Sequence, residues 1–560
     1  MKKHAVSIFL LLSILIFRAT YSYGQELPKP SKAQYRWHEQ ERIMFLHFAP
    51  TTWSEAEQND HSVSLDRINP KKLDTDQWCE AALAWGAQGI IFVAKHSGGF
   101  CWWQTETTNY GIKNTPYKDG KGDVLKELSK SCKKYGLSLR TYIYPGDKTW
   151  GALIGSGGKT RDPSKQEAYN KIFRKQLTEV LTDYGEIMEV WFDGSCVIDV
   201  SDIIEKHARN SVIFQGPHAS LRWPGTESGK LFYPAWNTVK SEDLKTGVST
   251  QVHGNPNGDV WAPLETNTTL YDHFWFWSPE KVKKRKSVEE LMNNYYKSVG
   301  YGSVFLLNAS PDTTGLIPVG DLDRYREFGE EIKRRFDSPL ASLKDKEGNK
   351  VVLEFQESML VNHAVIMEDY KYGERIRKYK IEGLASGKWL ELTQGISVGR
   401  KKIDYFDEIK VEALKLTINE SAAKPLIRSF SAFYVDNFSP PKKQSMHVWS
   451  RPQVVLTWNS NDIKSHQLTL RVELNNKISV PGQYVLTVKP ELTENFKIKN
   501  ASMLYDGNLA LKEFVKIDGL KVFINQTAQI TDKRDLYVIL DIELKEPSPG
   551  KVEFLPLLIH

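Results

Sequence analysis

The 560-residue sequence is poor in cysteine, in concentrated positive charge and in long apolar runs. Its four cysteines lie at positions 79, 101, 132 and 196 with no closely spaced pair, which disfavours a zinc knuckle. We expect free thiols, although two disulfides are the alternative in an exported chain. The net charge is only +6, and the one dense basic run, 281–286, is short. A protein that binds nucleic acid would present a basic face, so no nucleic-acid partner is expected.

The only strongly apolar run lies at the N-terminus. Residues 1–24 combine a basic start, an apolar run over 6–17 and a small, polar end at Gly24. The apolar run is too short for a membrane-spanning helix and is typical of a secretory signal peptide. No cysteine follows to accept a lipid, and no later segment predicts a membrane span. We therefore predict a protein that is exported to the periplasm or the extracellular space.

Residues 40–335 alternate short apolar runs with helical patterns. Helical patterns such as 123–136 and 169–185 end in glycine, a common helix stop. The predicted strands are 43–48, 89–96, 139–144, 188–193, 211–216, 260–265 and 303–308. This alternation predicts an α/β fold with a parallel sheet, most economically a (β/α)8 barrel over residues 25–338. Its eighth strand is either irregular or not recognisable in the sequence.

Beyond residue 338 the sequence contains only short, alternating strand patterns with turns between them. The segment 337–342 is a plausible linker, and 437–444 is rich in proline and lysine. We predict a β-sandwich over 339–438 and a second C-terminal β-sandwich, of unassigned role, over 439–560.

Several predicted strands of the barrel end in a polar residue that can take part in chemistry. These residues are His47, His96, Tyr144, Asp193, Glu265 and Asn308. Barrel enzymes carry their active site at the carboxyl ends of the strands, so six such ends predict a site at that face. Tryptophans near the same face, among them Trp103, Trp191 and Trp223, suit a sugar, because indole rings pack on its C–H faces.

Asp193 is the candidate nucleophile for hydrolysis of a glycosidic bond, a reaction that uses two carboxyl groups. It ends an apolar strand, and Gly194 leaves room for a ligand. The alternative is that Asp193 caps a following helix. Its partner is either Glu227, in a turn-rich loop, or Glu265, at a predicted strand end. The residues alone do not favour Glu227 or Glu265 over the other.

Five stretches together resemble glycoside hydrolase family 29, the α-L-fucosidases. They are MEVWFDGS, LDTDQWCEAALAWGAQGIIFVAKHSGGFCWW, NTPYKDGKGDVLKELSKSCKKYGL, RWPGTESG and YYKSVGYGSVFLLNASPDTTGLI. The similarity covers residues 40–335 in consistent order and is greatest to the subfamily that prefers fucose in α-1,3 or α-1,4 linkage. It implies an irregular (β/α)8 barrel followed by a β-sandwich, here of the galactose-binding-like type. It also implies a retaining exo-glycosidase that removes terminal fucose from oligosaccharides.

The resemblance also assigns roles to single residues. Asp193 in WFDG matches the nucleophile, and RWPGTE places the acid/base at Glu227, which leaves Glu265 as a structural or substrate contact. His47, His96, Trp191 and Arg222 match positions that contact the sugar. The full set of candidate substrate-binding residues is His47, His96, Trp103, Tyr144, Trp191, Arg222, Trp223 and Glu265. No cofactor and no metal are implied.

The sequence departs from the family pattern in three places. The family motif HHDGF is HSGGF here, so Ser97 replaces a histidine and Gly98 replaces an acid. A glutamate–tryptophan pair is not evident near 60–66, and the motif SPW is YPG. Lost hydrogen-bonding groups change which sugars a site accepts, so the glycone could be a substituted fucose or L-galactose.

Two further alternatives come from different functional classes. A glycan-binding protein without catalytic activity could use the same scaffold. A metal-dependent hydrolase could use His47, His96 and Asp193 as ligands, but no H-x-H or H-E-x-x-H motif is present.

Overall fold

The computed structural model describes residues 26–441, except 242–243 and 245–252, and residues 454–559, except 474–481, 491–492, 506–507, 511–514 and 527–535. The predicted signal peptide, residues 1–24, lies outside the described residues. In the described part of the chain, no helix is both long enough and apolar enough to cross a membrane. The four cysteines are buried and have free thiols.

Among the described residues, the α-helices all precede residue 337. They are α1 (Lys32–His38), α2 (Thr51–Ser54), α3 (Thr75–Ala84), α4 (Val124–Tyr135), α5 (Gln166–Thr182), α6 (Ser201–His207), α7 (Val288–Lys297) and α8 (Val319–Phe336). Helix α4 begins where the Asp123 side chain accepts a hydrogen bond from the Lys126 amide, and it ends at Gly136 in the left-handed conformation. These are the start and stop signals read from the sequence.

Seven parallel strands form the sheet that builds the barrel, in the order β5-β4-β3-β2-β1-β9-β8. They are β1 (Arg42–Leu46), β2 (Gly89–Lys95), β3 (Ser138–Ile143), β4 (Ile187–Trp191), β5 (Val212–Phe214), β8 (Glu265–Thr268) and β9 (Val304–Ala309). Strands such as β2 are buried along their whole length because helices cover one face and barrel side chains fill the other. The predicted fold class, an α/β barrel followed by all-β domains, is confirmed.

A single residue occupies the place of the eighth strand. Arg222 forms a parallel bridge with Leu264, in which the Arg222 amide donates to Pro263 and the Glu265 amide donates to Arg222. On the other side, the Ser220 amide donates to the carbonyl of Ile213 in β5. The segment 220–222 therefore links β5 to β8 without forming a strand.

The predicted strand 260–265 is wrong in its extent. Its start, β7 (Val260–Trp261), pairs antiparallel with β6 (Thr238–Val239) in a separate ribbon. The barrel strand β8 begins at Glu265, where the prediction had placed a strand end. Pro263 lies between the two strands and has no amide to donate to a ladder.

The middle part of the chain folds into one six-stranded antiparallel sheet with the order β10-β15-β11-β14-β12-β13. Its strands are β10 (Ala341–Glu347), β11 (Lys350–Glu368), β12 (Ile376–Ala385), β13 (Lys388–Gly395), β14 (Lys402–Ser421) and β15 (Leu426–Phe433). The long strands β11 and β14 shift register between Glu354 and Met359, which is typical of a bulge that bends a sheet.

The last part contains a five-stranded and a four-stranded antiparallel sheet that share one apolar core. The strands are β16 (Val454–Trp458), β17 (Gln467–Glu473), β18 (Gly482–Pro490), β19 (Phe496–Tyr505), β20 (Asn508–Ala510), β21 (Val515–Asp518), β22 (Lys521–Gln526), β23 (Leu536–Leu544) and β24 (Gly550–Ile559). Phe232 and Trp236 of the barrel belong to the same core, so this β domain packs against the barrel.

Candidate functional site

A cavity of about 210 Å³ opens at the carboxyl ends of the barrel strands. We call it the barrel-mouth cavity. It is smaller than the roughly 300–1,000 Å³ typical of sites for drug-sized ligands, and this size suits one sugar ring. Its lining is Phe45, His47, Glu57, Gln58, His96, Ser97, Tyr142, Tyr144, Ile154, Trp191, Asp193, Phe214, Gln215, Trp223, Glu227, Asn267, Trp275 and Phe276.

Asp193 lies two residues beyond the end of β4, and its carboxylate is held in place by the neighbouring strand. The Tyr142 hydroxyl of β3 donates to Asp193 Oδ2 at 2.9 Å. Behind it, Gly194 and Ser195 both have φ of +72°, and the Ser195 amide donates to Gln215 Oε1 at 3.0 Å. The next helix, α6, begins at Ser201, so the alternative in which Asp193 caps a helix is wrong.

The electrostatic environment of Asp193 is that of a carboxyl group in a partly closed cavity. The pKa of Asp193 is raised to about 6, chiefly by burial; the Tyr142 hydrogen bond opposes this increase, and the charge of Glu227 contributes to it. Above this pKa Asp193 is a carboxylate with a basicity well above that of an ordinary aspartate. A poorly solvated carboxylate of this kind is a competent nucleophile.

Glu227 lies in a loop that is fixed to β8 at both ends. Arg222 bridges to Leu264 before the loop, and Ser228 bridges to Thr268 after it. The Trp275 indole donates to Glu227 Oε2 at 3.1 Å. The carboxyl group is thus partly exposed, oriented by one hydrogen bond, and faces the same cavity as Asp193.

Glu57 is a third carboxyl group in the cavity, and the sequence analysis missed it. Its Oε1 accepts the Trp275 amide at 2.8 Å, so Trp275 binds Glu57 and Glu227 at once. Burial raises the pKa of Glu57 to about 7, and the charge of Glu227 adds to this effect. Glu57 lies just before 60–66, near which the resemblance predicts a glutamate, and this proximity is its signal in the sequence.

His47 and His96 line the cavity as uncharged rings. Burial lowers the pKa of His47 to about 3 and that of His96 to about 4. His47 Nδ1 lies 2.7 Å from Asn308 Oδ1, and His96 Nδ1 lies 3.2 Å from the Ser97 hydroxyl. A neutral imidazole has one donor and one acceptor nitrogen, which suits the hydroxyl groups of a sugar.

Aromatic rings form the floor and walls of the cavity. Trp191 stacks on Phe214 with ring centroids 3.6 Å apart and an interplanar angle of 3°. The ring centroids of Trp275 and His47 lie 4.8 Å apart. The Trp223 indole donates to Asn267 Oδ1 at 2.9 Å. These contacts hold flat apolar faces around the carboxyl groups, an arrangement that orients a sugar ring.

Glu265 lies beneath the floor of the cavity rather than in it. It is fully buried, and its Oε1 accepts the Trp191 indole at 2.6 Å. Burial and the adjacent Glu189 raise the pKa of Glu265 well above its usual range. Glu189 itself pairs with the buried Arg140, whose Nε lies 3.1 Å from Glu189 Oε2. As the first residue of β8, Glu265 supports Trp191 from below and does not line the cavity.

Two other predicted contact residues also lie outside the cavity lining. The Trp103 indole donates to Glu179 Oε2 at 3.0 Å within the barrel core. The Arg222 side chain is buried, with Nε donating to the carbonyl of Ala262 at 2.8 Å and Nη2 donating to that of Trp236. We therefore correct their expected positions: Trp103 is a core residue, and Arg222 fastens the loop that closes the barrel.

The HSGGF motif leaves no space for the acid found elsewhere in the family. A Cβ atom at Gly98 would lie 2.3 Å from Asn59 Nδ2, so the Asn59 side chain occupies that volume. A Cβ atom at Gly99, where φ is +90°, would lie 2.4 Å from Asp147 Oδ1. At both positions, close neighbouring side chains leave no room for a residue larger than glycine.

Among the described residues, no group of three or more His, Cys, Asp or Glu side chains could hold a metal ion.

Comparison with known proteins finds a family model, a relative and two solved structures that agree with one another. The model of the Alpha-L-fucosidase family matches residues 14–335. Alpha-L-fucosidase 1 of Arabidopsis thaliana is 29% identical over 471 residues, covering 75% of this chain and 90% of the relative. A solved glycoside hydrolase 29 family member from an unknown rumen bacterium is 25% identical, with a TM-score of 0.67 over 94% of this chain and 99% of its own. A Ruminococcus gnavus GH29 fucosidase, solved in complex with fucose, is 25% identical, with a TM-score of 0.66 over 74% of this chain and 96% of its own.

Proposed function

Because this chain belongs to glycoside hydrolase family 29, the α-L-fucosidases, we propose that it is a retaining exo-glycosidase that releases terminal α-L-fucose from oligosaccharides. The proposed linkages are α-1,3 and α-1,4, by similarity to the subfamily named above. The observation that carries the proposal is that Asp193 and Glu227 line one small cavity at the barrel mouth, walled by aromatic rings.

The proposed reaction has two steps. Asp193 attacks the anomeric carbon while Glu227 protonates the glycosidic oxygen, so the leaving sugar departs and a β-linked glycosyl-enzyme forms. Glu227, now ionised, then takes a proton from water as that water attacks the same carbon, and the product regains the α configuration. Glu227 is favoured over Glu265 as the acid/base because Glu265 is buried beneath Trp191 and is bound to its indole.

The neutral histidines and the rings have supporting roles in this proposal. His47 and His96 would exchange hydrogen bonds with sugar hydroxyls without adding charge near the oxocarbenium-like transition state. Trp191, Trp223 and Trp275 would pack against the C–H faces of the ring. Tyr142 orients the carboxylate of Asp193.

Hydrolysis of an aryl α-L-fucoside tests the proposal. We expect Asp193→Ala to lose at least about 1,000-fold in kcat/KM, because a covalent step is removed. Glu205→Ala, a change in an exposed residue of α6, is the matched control and should retain activity. The acid limb of the kcat/KM profile should lie near the pKa of Asp193, about 6.

Azide separates the two carboxyl roles. With Asp193→Ala, azide should replace the nucleophile and give a β-fucosyl azide. With Glu227→Ala, azide should attack the glycosyl-enzyme and give the α-fucosyl azide. Rescue of Glu265→Ala by azide, with none for Glu227→Ala, would reassign the acid/base to Glu265.

A related glycone is the second candidate, favoured by one observation. Ser97 lines the cavity where the family has a histidine, and Asn59 fills the place of the family acid. These changes alter the hydrogen bonds open to sugar hydroxyls, so a substituted fucose or L-galactose is the alternative substrate. A panel of fucosides and L-galactosides, ranked by kcat/KM, decides between them. Binding of these sugars without any hydrolysis would instead indicate a glycan-binding protein.

Export is proposed from residues 1–24 alone. Expression of the full chain in a bacterium, followed by N-terminal sequencing of periplasmic and culture fractions, tests it. Recovery of uncleaved protein from the cytoplasm only would contradict it.

A further inference from the structure

Residues 222–228 carry Glu227 and begin at Arg222; we call them the acid/base loop. The Arg222 side chain is buried and donates hydrogen bonds to the backbone carbonyls of Ala262 and Trp236. These two carbonyls fix the first residue of the loop. The position of Glu227 therefore depends on what holds them in place.

Asn237 connects the two carbonyl groups. It follows Trp236 in the chain, so the Trp236 carbonyl and the Asn237 N–H belong to one peptide group. The Asn237 carbonyl in turn accepts the Ala262 amide at 2.7 Å. Asn237 is buried, and a contact that holds it also holds both of these acceptors of the Arg222 side chain.

Glu374, which lies outside the barrel, binds Asn237 at both of its N–H groups. The Asn237 backbone amide donates to Glu374 Oε2 at 3.0 Å, and Asn237 Nδ2 donates to Glu374 Oε1 at 2.6 Å. Glu374 is buried and lies two residues before β12 of the six-stranded sheet. The peptide group between Trp236 and Asn237 thus has its N–H on a carboxylate and its C=O on a guanidinium.

The charges at the two ends of this peptide group act on each other. Burial lowers the pKa of Arg222 to about 9, and the charge of Glu374 opposes this decrease. Burial raises the pKa of Glu374, and the hydrogen bonds from Asn237 and the charges of Arg377 and Arg222 oppose this increase. Each group therefore favours the charged form of the other, and charge strengthens the hydrogen bonds between them.

The carboxylate of Glu374 fits closely between the two domains. A Cβ atom at Gly399, where φ is +59°, would lie 2.8 Å from Glu374 Oε1 and 3.4 Å from Asn237 Nδ2. The backbone between β13 and β14 thus closes over the Glu374–Asn237 contact. This close approach restricts the carboxylate to the position in which it accepts both N–H groups.

We propose that Glu374 is a positioning residue for the acid/base group: through Asn237 and Arg222 it fixes the start of the loop that carries Glu227. This inference rests on the proposed function for the role of Glu227. It gives the six-stranded sheet a part in the geometry of the reaction, although none of its described residues lines the barrel-mouth cavity.

The leaving group of the substrate separates this role from a merely structural one. Phenyl α-L-fucoside releases a basic phenolate that needs a proton from the acid/base group, whereas chloronitrophenyl α-L-fucoside releases a weakly basic anion that needs little protonation. We measure kcat/KM for both substrates on the same protein sample. Their ratio does not depend on the fraction of the protein that is folded, so a variant that only loses stability leaves it unchanged.

The test variant is Glu374→Gln, which keeps the size of the side chain but places an N–H group where Asn237 needs an acceptor. We expect it to lower the ratio of phenyl to chloronitrophenyl activity at least about tenfold, in the same direction as Glu227→Ala. Glu382→Gln is the matched control, because Glu382 pairs with Lys380 and Lys415 within the six-stranded sheet. The control should leave the ratio unchanged.

Asn237→Ala tests the path from Glu374 to the loop. Because Glu374 acts through Asn237, the double variant with Glu374→Gln should lower the ratio no further than Glu374→Gln alone. Losses that multiply in the double variant would overturn the proposed path.

The comparison with Glu227→Ala separates the two possible failures. If Glu227→Ala lowers the ratio and Glu374→Gln leaves it at the wild-type value, the positioning role is overturned and the proposed function stands. If Glu227→Ala itself leaves the ratio unchanged, the proposed role of Glu227 is refuted, and the inference about Glu374 with it.

Discussion

Glu265→Gln should make the protein more stable, and increasingly so as the pH rises. The folded state holds Glu265 as an uncharged acid, because the side chain is fully buried and its neighbour Glu189 is paired with Arg140. Glu189 Oε1 and Glu265 Oε2 each lack a hydrogen-bond partner, which one proton shared between the two carboxyl groups would supply. A glutamine at 265 donates its own N–H to Glu189 and still accepts the Trp191 indole.

The magnitude follows from the protonation balance. An unfolded glutamate has a pKa of about 4.3. The pKa of folded Glu265 is raised far above that value, so its contribution to stability is complete below about pH 4.3 and is lost as the pH rises towards the folded pKa. Each pH unit in that window costs about 1.4 kcal/mol. The glutamine variant does not titrate, so its advantage in stability over the wild type should grow by that amount with each pH unit in this window.

Urea denaturation followed by tryptophan fluorescence, at about pH 4.5 and about pH 6.5, measures this difference. Glu189→Gln is the opposing control: it leaves the buried Arg140 without its partner 3.1 Å away and should cost about 3–5 kcal/mol. A Glu265→Gln protein that is less stable than the wild type at both values, or a difference that does not grow with pH, would refute the shared proton.

Two further predictions concern the barrel-mouth cavity and Gly99 of the HSGGF motif. Tyr142→Phe removes the hydroxyl that lowers the pKa of Asp193, so the acid limb of the kcat/KM profile should move above about pH 6; an unchanged limb would contradict the assigned contact. Gly99→Ala puts a Cβ atom 2.4 Å from Asp147 Oδ1 and should cost about 3 kcal/mol or more in thermal unfolding. Gly151→Ala, also at positive φ but with no neighbour within 4 Å, is the matched control and should cost about 1–2 kcal/mol.

The polar residues at the strand ends could be predicted from the sequence wherever the apolar run coincides with a barrel strand. His47, His96 and Tyr144 each follow the last residue of a strand and line the cavity as expected. The prediction that Glu265 ends a barrel strand was wrong because an apolar run before a polar residue looks the same in an antiparallel ribbon as in a barrel strand. Pro263 was the local signal that the run is interrupted, since it cannot donate to a ladder.

The contacts of residues that are positioned by distant partners could not be predicted from the sequence. Glu57 lies in an irregular loop after α2, and its place in the cavity depends on the amide of Trp275, 218 residues away in sequence. Arg222 was assigned to the sugar through a resemblance of neighbouring residues. Two hydrogen bonds of its side chain go to backbone carbonyl oxygens, which leave no trace in a sequence pattern.

The two anchors of the acid/base loop have a consequence for how such enzymes diversify. Residues 222–228 are tied at Arg222 to the start of β8 and at Ser228 to its end, whereas Asp193 belongs to another strand. One inserted residue adds up to about 3.3–3.6 Å of chain. Retaining enzymes separate their carboxyl groups by about 5–5.5 Å and inverting enzymes by about 6.5–9.5 Å. A change in the length of this one loop would therefore move Glu227 relative to Asp193, and with it the carboxyl separation on which the anomeric outcome depends.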